Sequence, residues 1–321
     1  MNRVLIAGTG DIALRVARLL SANYKLFGLL RNPARQNELR LAGITPLPGD
    51  LDKPGSLHRL SGLAHTVLHF APPPTLTQTV GDKHLPLQDT RTRNLLAALS
   101  QGRLPRQLIY ISTSGVYGDC KGALVNETRT VHAQTTRAQL RVDVENQIRS
   151  WSIRNGVHAS ILRVPGIYAA ERLPLERLKK GTPALVDADD GYTNHIHADD
   201  LAQCVVDAMY RAKPNRIYHT VDDSRMKMGE YFDAVADTFD LPHAPRISHA
   251  EAQKVLSPML LSFMNESRRL SNSRMKLELK VNLRYPTVAA TLAEIRPRCL
   301  TEPTAPASAS PHLKQLSLPL F

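Results

Sequence analysis

Short apolar runs alternate with amphipathic stretches through the first half of the chain. Strands separated by helix-length segments are typical of a parallel sheet whose crossover connections are helices. We therefore predict an α/β fold, a Rossmann-type doubly wound parallel sheet with a smaller C-terminal substrate lobe. The predicted strands are residues 4–7, 26–30, 66–70, 107–111 and 159–164; the predicted helices are residues 11–21, a segment ending near residue 99, and a segment near residues 137–154.

The pattern of elements changes after residue 164, where shorter elements alternate with loops rich in Pro, Gly and Asp. We predict that residues 1–165 form the Rossmann domain and that residues 166–296 form the substrate lobe together with returning elements of the first domain. Residues 297–321 include the stretch TEPTAPASASP, which has too few large apolar side chains to order itself. This segment is predicted to be a disordered tail.

The composition, 42% hydrophobic over 321 residues, is enough for a sizeable core. No apolar run reaches the length of a membrane span, and the opening MNRVLIAGTG indicates a strand and turn instead of a signal peptide. Three cysteines, far apart and without metal-ligand spacing, predict neither a disulfide framework nor a zinc site. We therefore expect a cytoplasmic protein that does not enter a membrane.

The formal net charge of +12 raises the question of a nucleic-acid partner. The Lys and Arg residues are dispersed over the chain, and no recognised nucleic-acid motif accompanies them. A basic solvated surface is favoured over direct nucleic-acid binding.

The first predicted strand is followed by a glycine-rich turn, G-T-G-D-I-A, at the start of an amphipathic helix. Gly8 suits a tight turn, Gly10 lets the backbone approach a pyrophosphate, and Ala13 allows close packing of helix and sheet. Asp11 and Ile12 complete the loop. An ordinary glycine-rich turn is the alternative, but the position between a strand and a helix favours dinucleotide binding.

The end of the second strand distinguishes the two nicotinamide cofactors. An acidic residue there would accept hydrogen bonds from the ribose hydroxyls of NAD, but Arg31 and Asn32 occupy the position. A guanidinium pairs well with a 2′-phosphate, so NADP is favoured over NAD. A solvated arginine at a strand end is the alternative interpretation.

Two further strand ends are candidates for contact with the cofactor. Asp50 and Leu51 follow the third strand, where a carboxylate can hold an adenine amine. Phe70, Ala71 and Pro72 lie where the fourth strand ends, and small residues there leave space for ribose and phosphates.

Five motifs stand along the chain: YISTSGVYGD, LRVPGIY, NHIHADDLA, SNSRMKLEL and RYPT. They resemble the extended short-chain dehydrogenases/reductases, also called the NAD-dependent epimerase/dehydratase family, and the last two are similar to an atypical branch. The resemblance covers the chain up to the tail and implies a nicotinamide cofactor, a small-molecule substrate and a homodimer formed through two helices of the sheet layer. It also implies that Val164 and Pro165 contact the cofactor.

In the family that the chain resembles, a Ser or Thr before the VYG sequence holds the substrate oxygen, which implies this role for Thr113, with Ser114 beside it. A Tyr-x-x-x-Lys pair follows on a helix. Glu145 matches the acidic position four residues after the lysine, so Arg137 replaces the tyrosine and Arg141 replaces the lysine. The spacing of four places both arginines on one face of a helix.

Arginine in place of the tyrosine and the lysine alters the chemistry that the site can perform. A guanidinium stays protonated and has no lone pair, so Arg137 cannot relay protons near neutral pH. Arg141 can donate to the ribose, and Arg137 can clamp a carboxylate or stabilise an oxyanion. Arg141 and Thr113 are therefore also candidate cofactor contacts. Alternatively, both arginines solvate the helix, with an i,i+4 contact from Arg141 to Glu145.

Another group must then exchange the proton if hydride transfer occurs. His195 is favoured because an unperturbed imidazole titrates near neutral pH. Tyr117 and His197 are expected to be structural, and the two histidines have no further spaced ligand that would make a metal site. The candidates are Tyr117, Tyr168, Tyr192, His195 and His197.

The chain ends in QLSLPLF, shortly after the predicted tail begins. This peptide resembles the short motif by which bacterial replication and repair proteins dock on the DNA polymerase sliding clamp. The resemblance implies polar contacts by Gln315 and an apolar pocket filled by Leu316, Leu318, Leu320 and Phe321. Alternatively, these apolar side chains fold back on the protein's own surface or on a second subunit.

The leading interpretation is an NAD(P)-binding oxidoreductase or epimerase acting on a small molecule. The alternative is a non-catalytic NADP-binding sensor or accessory protein. Recruitment to the sliding clamp by the C-terminal peptide is compatible with both.

Overall fold

The computed structural model describes residues 2–74 and 87–301. A seven-stranded sheet has the order β7-β6-β5-β4-β1-β2-β3, and each neighbouring pair is parallel. This topology confirms the predicted doubly wound Rossmann-type fold. The strands are β1 (Asn2–Ala7), β2 (Tyr24–Leu30), β3 (Ile44–Pro48), β4 (Thr66–His69), β5 (Gln107–Thr113), β6 (His158–Val164) and β7 (Arg216–His219).

Ten α-helices are present in the described parts of the chain, and several of them flank the sheet. They are α1 (Asp11–Leu20), α2 (Gln36–Leu41), α3 (Thr90–Leu99), α4 (Thr136–Asn155), α5 (Leu175–Lys179), α6 (Ala198–Arg211), α7 (Met228–Thr238), α8 (His249–Val255), α9 (Pro258–Met264) and α10 (Val288–Thr301). The short 3₁₀ and π segments are Pro33–Arg35, Pro54–Leu60, Ser114–Tyr117, Ala170–Arg172 and Met275–Leu279.

Four two-stranded ladders accompany the main sheet and join distant segments of the chain. Three are parallel, and the ladder of Tyr192–Thr193 with Met226–Lys227 is antiparallel. The other ladders pair Leu124–Val125 with Arg269–Leu270, Gly166–Tyr168 with His195–His197, and Ala184–Leu185 with Arg246–Ile247.

The sheet is buried on both faces. In β1, Val4 and Ile6 pack into one apolar cluster together with side chains of α1 and α6. Leu5 and Ala7 pack on the opposite face, in a second cluster with side chains of α3 and α4. Strands that are covered on both sides have continuous apolar sequences, which is why these strands could be recognised from the sequence.

The ends of α4 explain the position of the helix. The Thr135 side chain accepts a hydrogen bond from the Ala138 amide at the start, and Gly156 adopts a left-handed conformation with φ +64° at the end. The helix therefore begins directly before Arg137 and presents it near the carboxyl end of β5.

The lobe after β6 has its own apolar cluster, to which α7 and α10 contribute. Helix α10 runs to Thr301, a few residues past the boundary predicted at residue 297. The QLSLPLF peptide lies outside the described residues. Within residues 2–74 and 87–301, no helix combines the length and apolar character that a membrane span requires.

Candidate cofactor and substrate site

The carboxyl ends of the seven parallel strands meet at one edge of the sheet. Gly8, Arg31 and Phe70 come directly after β1, β2 and β4, and Asp50 follows β3 closely. Val164 is the last residue of β6. The sheet order reverses direction between β1 and β4, the position at which folds of this kind form a ligand crevice. The fold thus brings the predicted cofactor residues to one edge.

The turn after β1 packs tightly against the turn after β4. Phe70 and Ala71 donate backbone hydrogen bonds of 2.7 and 2.9 Å to the Ala7 carbonyl. Gly8 has φ +103°, and a Cβ atom built on it would lie 2.3 Å from the Ala71 nitrogen. Only glycine fits this position, because a side chain would strain the turn and collide with backbone.

Gly10, unlike Gly8, has open space beside its Cα atom. A Cβ atom built on Gly10 would meet no atom within 4 Å, and no side chain caps the N-terminus of α1. The first-turn amides of a helix lack intrahelical acceptors, so this end of α1 is open to an anion. The Asp11 carboxylate beside it is neutralised by ion pairs of 3.0 Å with both Arg15 and Arg172. The Ile12 side chain packs in the core, so the backbone amide is the group of Ile12 that a ligand can reach.

The polar side chains that follow β2 and β3 differ in whether they already bond to neighbouring groups of the protein. The Asn32 side chain accepts a 3.1 Å hydrogen bond from the Ala34 amide and thereby caps a 3₁₀ helix. The Asp50 carboxylate accepts one of 3.0 Å from the Asp52 amide. Arg31 is exposed, and it makes no ion pair within the described parts of the chain. Of these groups, Arg31 is the cation available to an approaching ligand.

Asp52 is part of an ion pair that ties β3 to α3. The Arg91 guanidinium, 2.7 Å away, and the more distant charge of Arg31 hold the pKa of the Asp52 carboxyl below its usual range. Arg91 also donates to the Pro72 carbonyl at 3.1 Å. The Leu51 side chain is buried in the core cluster beneath this pair. Arg91 of α3 thus joins the turn after β3 to the turn after β4.

Arg141 is attached to the end of β5. Its Nη1 donates to the Tyr110 hydroxyl at 2.8 Å and to the Ile111 carbonyl at 2.9 Å. Burial raises the pKa of Tyr110 to about 12, so the phenol stays neutral. The alternative in which Arg141 solvates the helix and contacts Glu145 is therefore wrong. Arg141 is a half-buried cation at the carboxyl edge of the sheet.

Glu145 instead pairs with Arg163 of β6. Its carboxylate accepts 3.0 and 2.6 Å hydrogen bonds from Arg163 Nε and Nη2 and one of 2.7 Å from the Ser112 hydroxyl. Arg163 also donates to the Tyr117 hydroxyl, which lies 2.6 Å from His219 Nε2. Tyr117 is thus part of a buried network. The sequence carried a signal for it, an arginine inside a buried, mostly apolar strand.

A cleft of about 60 Å³ opens beside the end of β5. It brings together Thr113, Ser114 and Arg137, three of the predicted catalytic residues, and places the predicted cofactor residue Pro165 in its wall. Arg141 and His195 do not line it. The lining residues are Thr113, Ser114, Gly115, Arg137, Pro165, Gly166, Tyr192, Thr193, Asn194, Met228, Glu266 and Arg268.

Two charged residues of the cleft were missed by sequence reasoning. Arg268 is only 9% exposed; its Nη1 donates to the Gly118 carbonyl at 2.8 Å and to Glu266 at 2.7 Å. Both residues lie in a segment without a recognised motif, so the sequence held no signal for them. Arg137, whose side chain is partly exposed, also lines the cleft; partial desolvation of its guanidinium and then the charge of Arg141 lower the pKa of Arg137, which nevertheless remains cationic at neutral pH.

The histidines of the NHIHADDLA motif do not reach the cleft. His195 is 1% exposed, its ring centroid lies 4.4 Å from that of Tyr231, and burial lowers its pKa to about 3. A ring that stays neutral and is enclosed away from the cleft does not suit the predicted acid–base role. His197 accepts a 3.2 Å hydrogen bond from the Asp199 amide at the start of α6, as expected for a structural residue.

The NAD(P)H-binding family matches residues 7–212, from the last residue of β1 to the residue after α6. The chain belongs to this family. An uncharacterized protein of Schizosaccharomyces pombe is 26% identical over 253 residues, which is 75% of this chain and 81% of the yeast protein. A functionally unknown conserved protein from Silicibacter pomeroyi superposes with a TM-score of 0.75 at 27% identity, covering 94% of this chain and all of that one.

Two solved structures with bound NAD share the fold of this NAD(P)H-binding protein. The dTDP-glucose 4,6-dehydratase DesIV of Streptomyces venezuelae gives a TM-score of 0.72 at 17% identity, covering 92% of this chain and 96% of that one. The UDP-glucuronic acid 4-epimerase of Bacillus cereus gives 0.69 at 16% identity, covering 90% and 95%. The open first turn of α1 and the crevice between β1 and β4 in the NAD(P)H-binding protein fit a dinucleotide.

Proposed function

We propose that this NAD(P)H-binding protein is an oxidoreductase or epimerase that uses NADP and acts on a small molecule in the cleft beside β5. The observation that carries the proposal is that Thr113 and Arg137 line one cleft at the same sheet edge as the dinucleotide crevice. When bound, the nicotinamide ring donates or accepts a hydride. The protein must hold the substrate and exchange a proton.

The cofactor would be held at three places. The first-turn amides of α1 at Gly10 bind the pyrophosphate, and Arg31 binds the 2′-phosphate at the end of β2. Arg141 lies near the strand end where the nicotinamide ribose is expected, and its charge suits a hydroxyl acceptor. Preference for NADP rests on Arg31, because no acidic residue follows β2.

Thr113, Tyr192 and Arg137 of the cleft are assigned to substrate binding and proton exchange. Thr113 Oγ1 accepts the Gly115 amide at 3.2 Å, so its own hydroxyl hydrogen can be donated to a substrate oxygen. Tyr192 is the one candidate phenol or imidazole that lines the cleft within the described chain, since Tyr117, Tyr168 and the two motif histidines are buried elsewhere. We assign the proton exchange to the Tyr192 hydroxyl. Arg137 binds the substrate as a fixed cation.

The test is NADPH oxidation with a panel of small carbonyl compounds. Thr113→Ala and Tyr192→Phe are expected to lower kcat about 100-fold, the range for loss of a positioned hydrogen-bond donor or general acid. His195→Phe serves as the control and should retain turnover. Turnover that survives both cleft variants would overturn the assignment.

A non-catalytic sensor would behave differently in the same experiment. It would be stabilised by NADPH in thermal unfolding, yet would oxidise no compound of the panel. The two arginines at the positions of the family's Tyr-Lys pair favour this alternative, because neither can relay a proton.

A second candidate function rests on the QLSLPLF peptide at residues 315–321, and we propose that it docks the protein on the DNA polymerase sliding clamp. Full-length protein and a peptide of residues 314–321 should both bind purified clamp, and Gln315→Ala should abolish binding in both. A peptide that binds while the full-length chain does not would indicate that the tail is covered by the protein itself.

A further inference from the structure

The amino ends of the parallel strands meet at the edge of the sheet opposite the cofactor crevice. At this amino edge, Lys25 of β2 is the register partner of Arg3 of β1. The His65 amide donates to the Arg3 carbonyl at 2.9 Å, and the Arg106 amide donates to the His65 carbonyl at 2.8 Å. Lys25, Arg3, His65 and Arg106 therefore form a continuous row across β2, β1 and the starts of β4 and β5. We call these four residues the basic row.

The side chains of the basic row lie close enough to act on one another. Desolvation, and then three neighbouring guanidinium groups, lower the pKa of the His65 imidazole; these groups belong to Arg3, Arg106 and Arg103. Arg103 lies beside the row because the turn at Gly62 packs on it: a Cβ atom built on Gly62 would be 3.7 Å from the Arg103 nitrogen. His65 Nδ1 accepts a 3.2 Å hydrogen bond from the Arg3 amide. The neutral ring therefore carries its proton on Nε2, where it can donate to a ligand.

The cations of this edge have no carboxylate beside them. Neither the Lys and Arg side chains of the basic row nor Arg103 form an ion pair in the parts of the chain that the structure describes. The start of β7 differs, since Arg216 Nε there lies 3.1 Å from the Glu278 carboxylate. The segments that lead into β2, β4 and β5 contain no Asp or Glu; they are SAN at 21–23, SGLAH at 61–65 and SQGRLPR at 100–106. The amino edge thus has positive charge that the protein itself leaves uncompensated.

The neighbouring side chains distinguish the polyanions that such an edge can bind. A membrane surface takes basic residues together with an apolar anchor, but Leu63 and Leu104, the leucines of these segments, pack against the core. A single-stranded nucleic acid stacks its bases on aromatic side chains, and segments 61–65 and 100–106 contain none. Duplex DNA needs only cations that face its phosphates. It is therefore the polyanion that fits this edge.

We infer that the basic row, together with Arg103, binds the phosphate backbone of duplex DNA without reading its sequence. Neighbouring strands are about 4.8 Å apart, so the row is a rigid array about 14 Å long that can face several phosphates of a duplex. Its members are dispersed along the chain, and the strand order of the sheet brings them together. This surface lies at the edge opposite the cofactor crevice, so the inference goes beyond the proposed function and does not depend on it.

The experiment is fluorescence anisotropy of a labelled DNA duplex of about 20 base pairs, titrated with the full-length protein at several KCl concentrations between about 50 and 200 mM. The dissociation constant should lie at about 10⁻⁶ to 10⁻⁴ M near physiological salt, the range of sequence-independent binding. The logarithm of the association constant should fall with the logarithm of the salt concentration with a slope of about −3 to −4, because each neutralised phosphate contributes about −0.9.

The double variant Arg103→Gln, Arg106→Gln should weaken DNA binding at least about tenfold and reduce the magnitude of the salt slope by about 2. Arg103→Lys, Arg106→Lys keeps both charges and should retain most of the affinity, since lysine also binds phosphate as a point charge. The matched control is Arg93→Gln, Arg225→Gln. It removes the same charge at two exposed arginines that follow β4 and β7 along the chain, and it should leave the slope unaltered.

No binding of the duplex at the lowest salt, or an equal loss of affinity in the control pair, would overturn the inference. So would tighter binding of single-stranded DNA of the same length or of vesicles containing phosphatidylserine, because the partner would then be of another class. A lysine pair that loses as much affinity as the glutamine pair would exclude a role for the charges. Circular dichroism verifies that each variant is folded. NADPH titration of the same proteins tests the proposed function separately, since the two surfaces lie at opposite edges of the sheet.

Discussion

Arg163 holds the Glu145 carboxylate through two hydrogen bonds of 3.0 and 2.6 Å, and each side chain is 4% exposed. The pair joins α4 to β6, so it sets the position of the helix that carries Arg137 and Arg141. Two charges removed from water in this way depend on each other, because neither has bulk solvent as a substitute.

Glu145→Ala should therefore lower the free energy of unfolding by about 3–5 kcal/mol, since it leaves the Arg163 charge buried without its partner. Urea denaturation measures the loss. Glu38→Ala is the comparison, because it breaks an exposed pair with Arg35 and should cost less than about 1 kcal/mol. Similar losses in the two variants would contradict the importance of burial.

The two glycines of the phosphate loop should respond differently to alanine. Gly8→Ala should lower the melting temperature, because the added Cβ would lie 2.3 Å from the Ala71 nitrogen at φ +103°. Gly10→Ala should leave stability within about 0.5 kcal/mol but weaken NADPH binding about tenfold or more, because its methyl group enters the space above α1. Unchanged NADPH affinity in Gly10→Ala would place the pyrophosphate elsewhere.

The choice between the two cofactors should depend on Arg31. Arg31→Asp should lower the ratio of NADPH to NADH affinity by about tenfold or more, because it replaces a cation for the 2′-phosphate with a carboxylate that accepts from ribose hydroxyls. Fluorescence titration with each cofactor gives the ratio. Arg40→Asp makes the same charge change at an exposed site on α2 and should leave the ratio unaltered. An unaltered ratio in Arg31→Asp would remove the basis for NADP preference.

His195 should make the fold sensitive to acid. Its pKa is about 3 in the folded protein and 6.5 in the unfolded chain, so only the unfolded chain binds the proton between these values. Above pH 6.5 neither state binds the proton, so His195 does not destabilise the fold. Below pH 6.5 the free energy of unfolding falls by on the order of 1 kcal/mol per pH unit.

His195→Phe removes this site. The free energy of unfolding of the variant, relative to the wild type, should therefore rise as the pH is lowered from 7.5 to 5.0, as measured by urea denaturation. His243→Phe is the contrast, because Asp237 raises the pKa of the exposed His243 and the sign is opposite. A relative stability of His195→Phe that does not change with pH would show that the ring is accessible to protons.

The sequence by itself determined the parallel sheet except for its edge strand β7, together with the phosphate loop and the positions of Arg31, Thr113 and Arg137 at strand or helix ends. These features are local, because buried parallel strands have continuous apolar runs and a glycine turn between strand and helix needs only neighbouring residues. The assignment of Arg137 and Arg141 to the Tyr-Lys positions came from the family resemblance, through Glu145, and stays a prediction.

Only the tertiary structure decided which side chains meet. Tyr192, Glu266 and Arg268 reach the Thr113 cleft from segments far along the chain, and Glu145 pairs with Arg163 of a neighbouring strand instead of Arg141 on its own helix. Burial of His195 likewise depends on packing from distant elements. Such partners are set by crossover connections and side-chain packing, which the periodicity of a single segment does not encode.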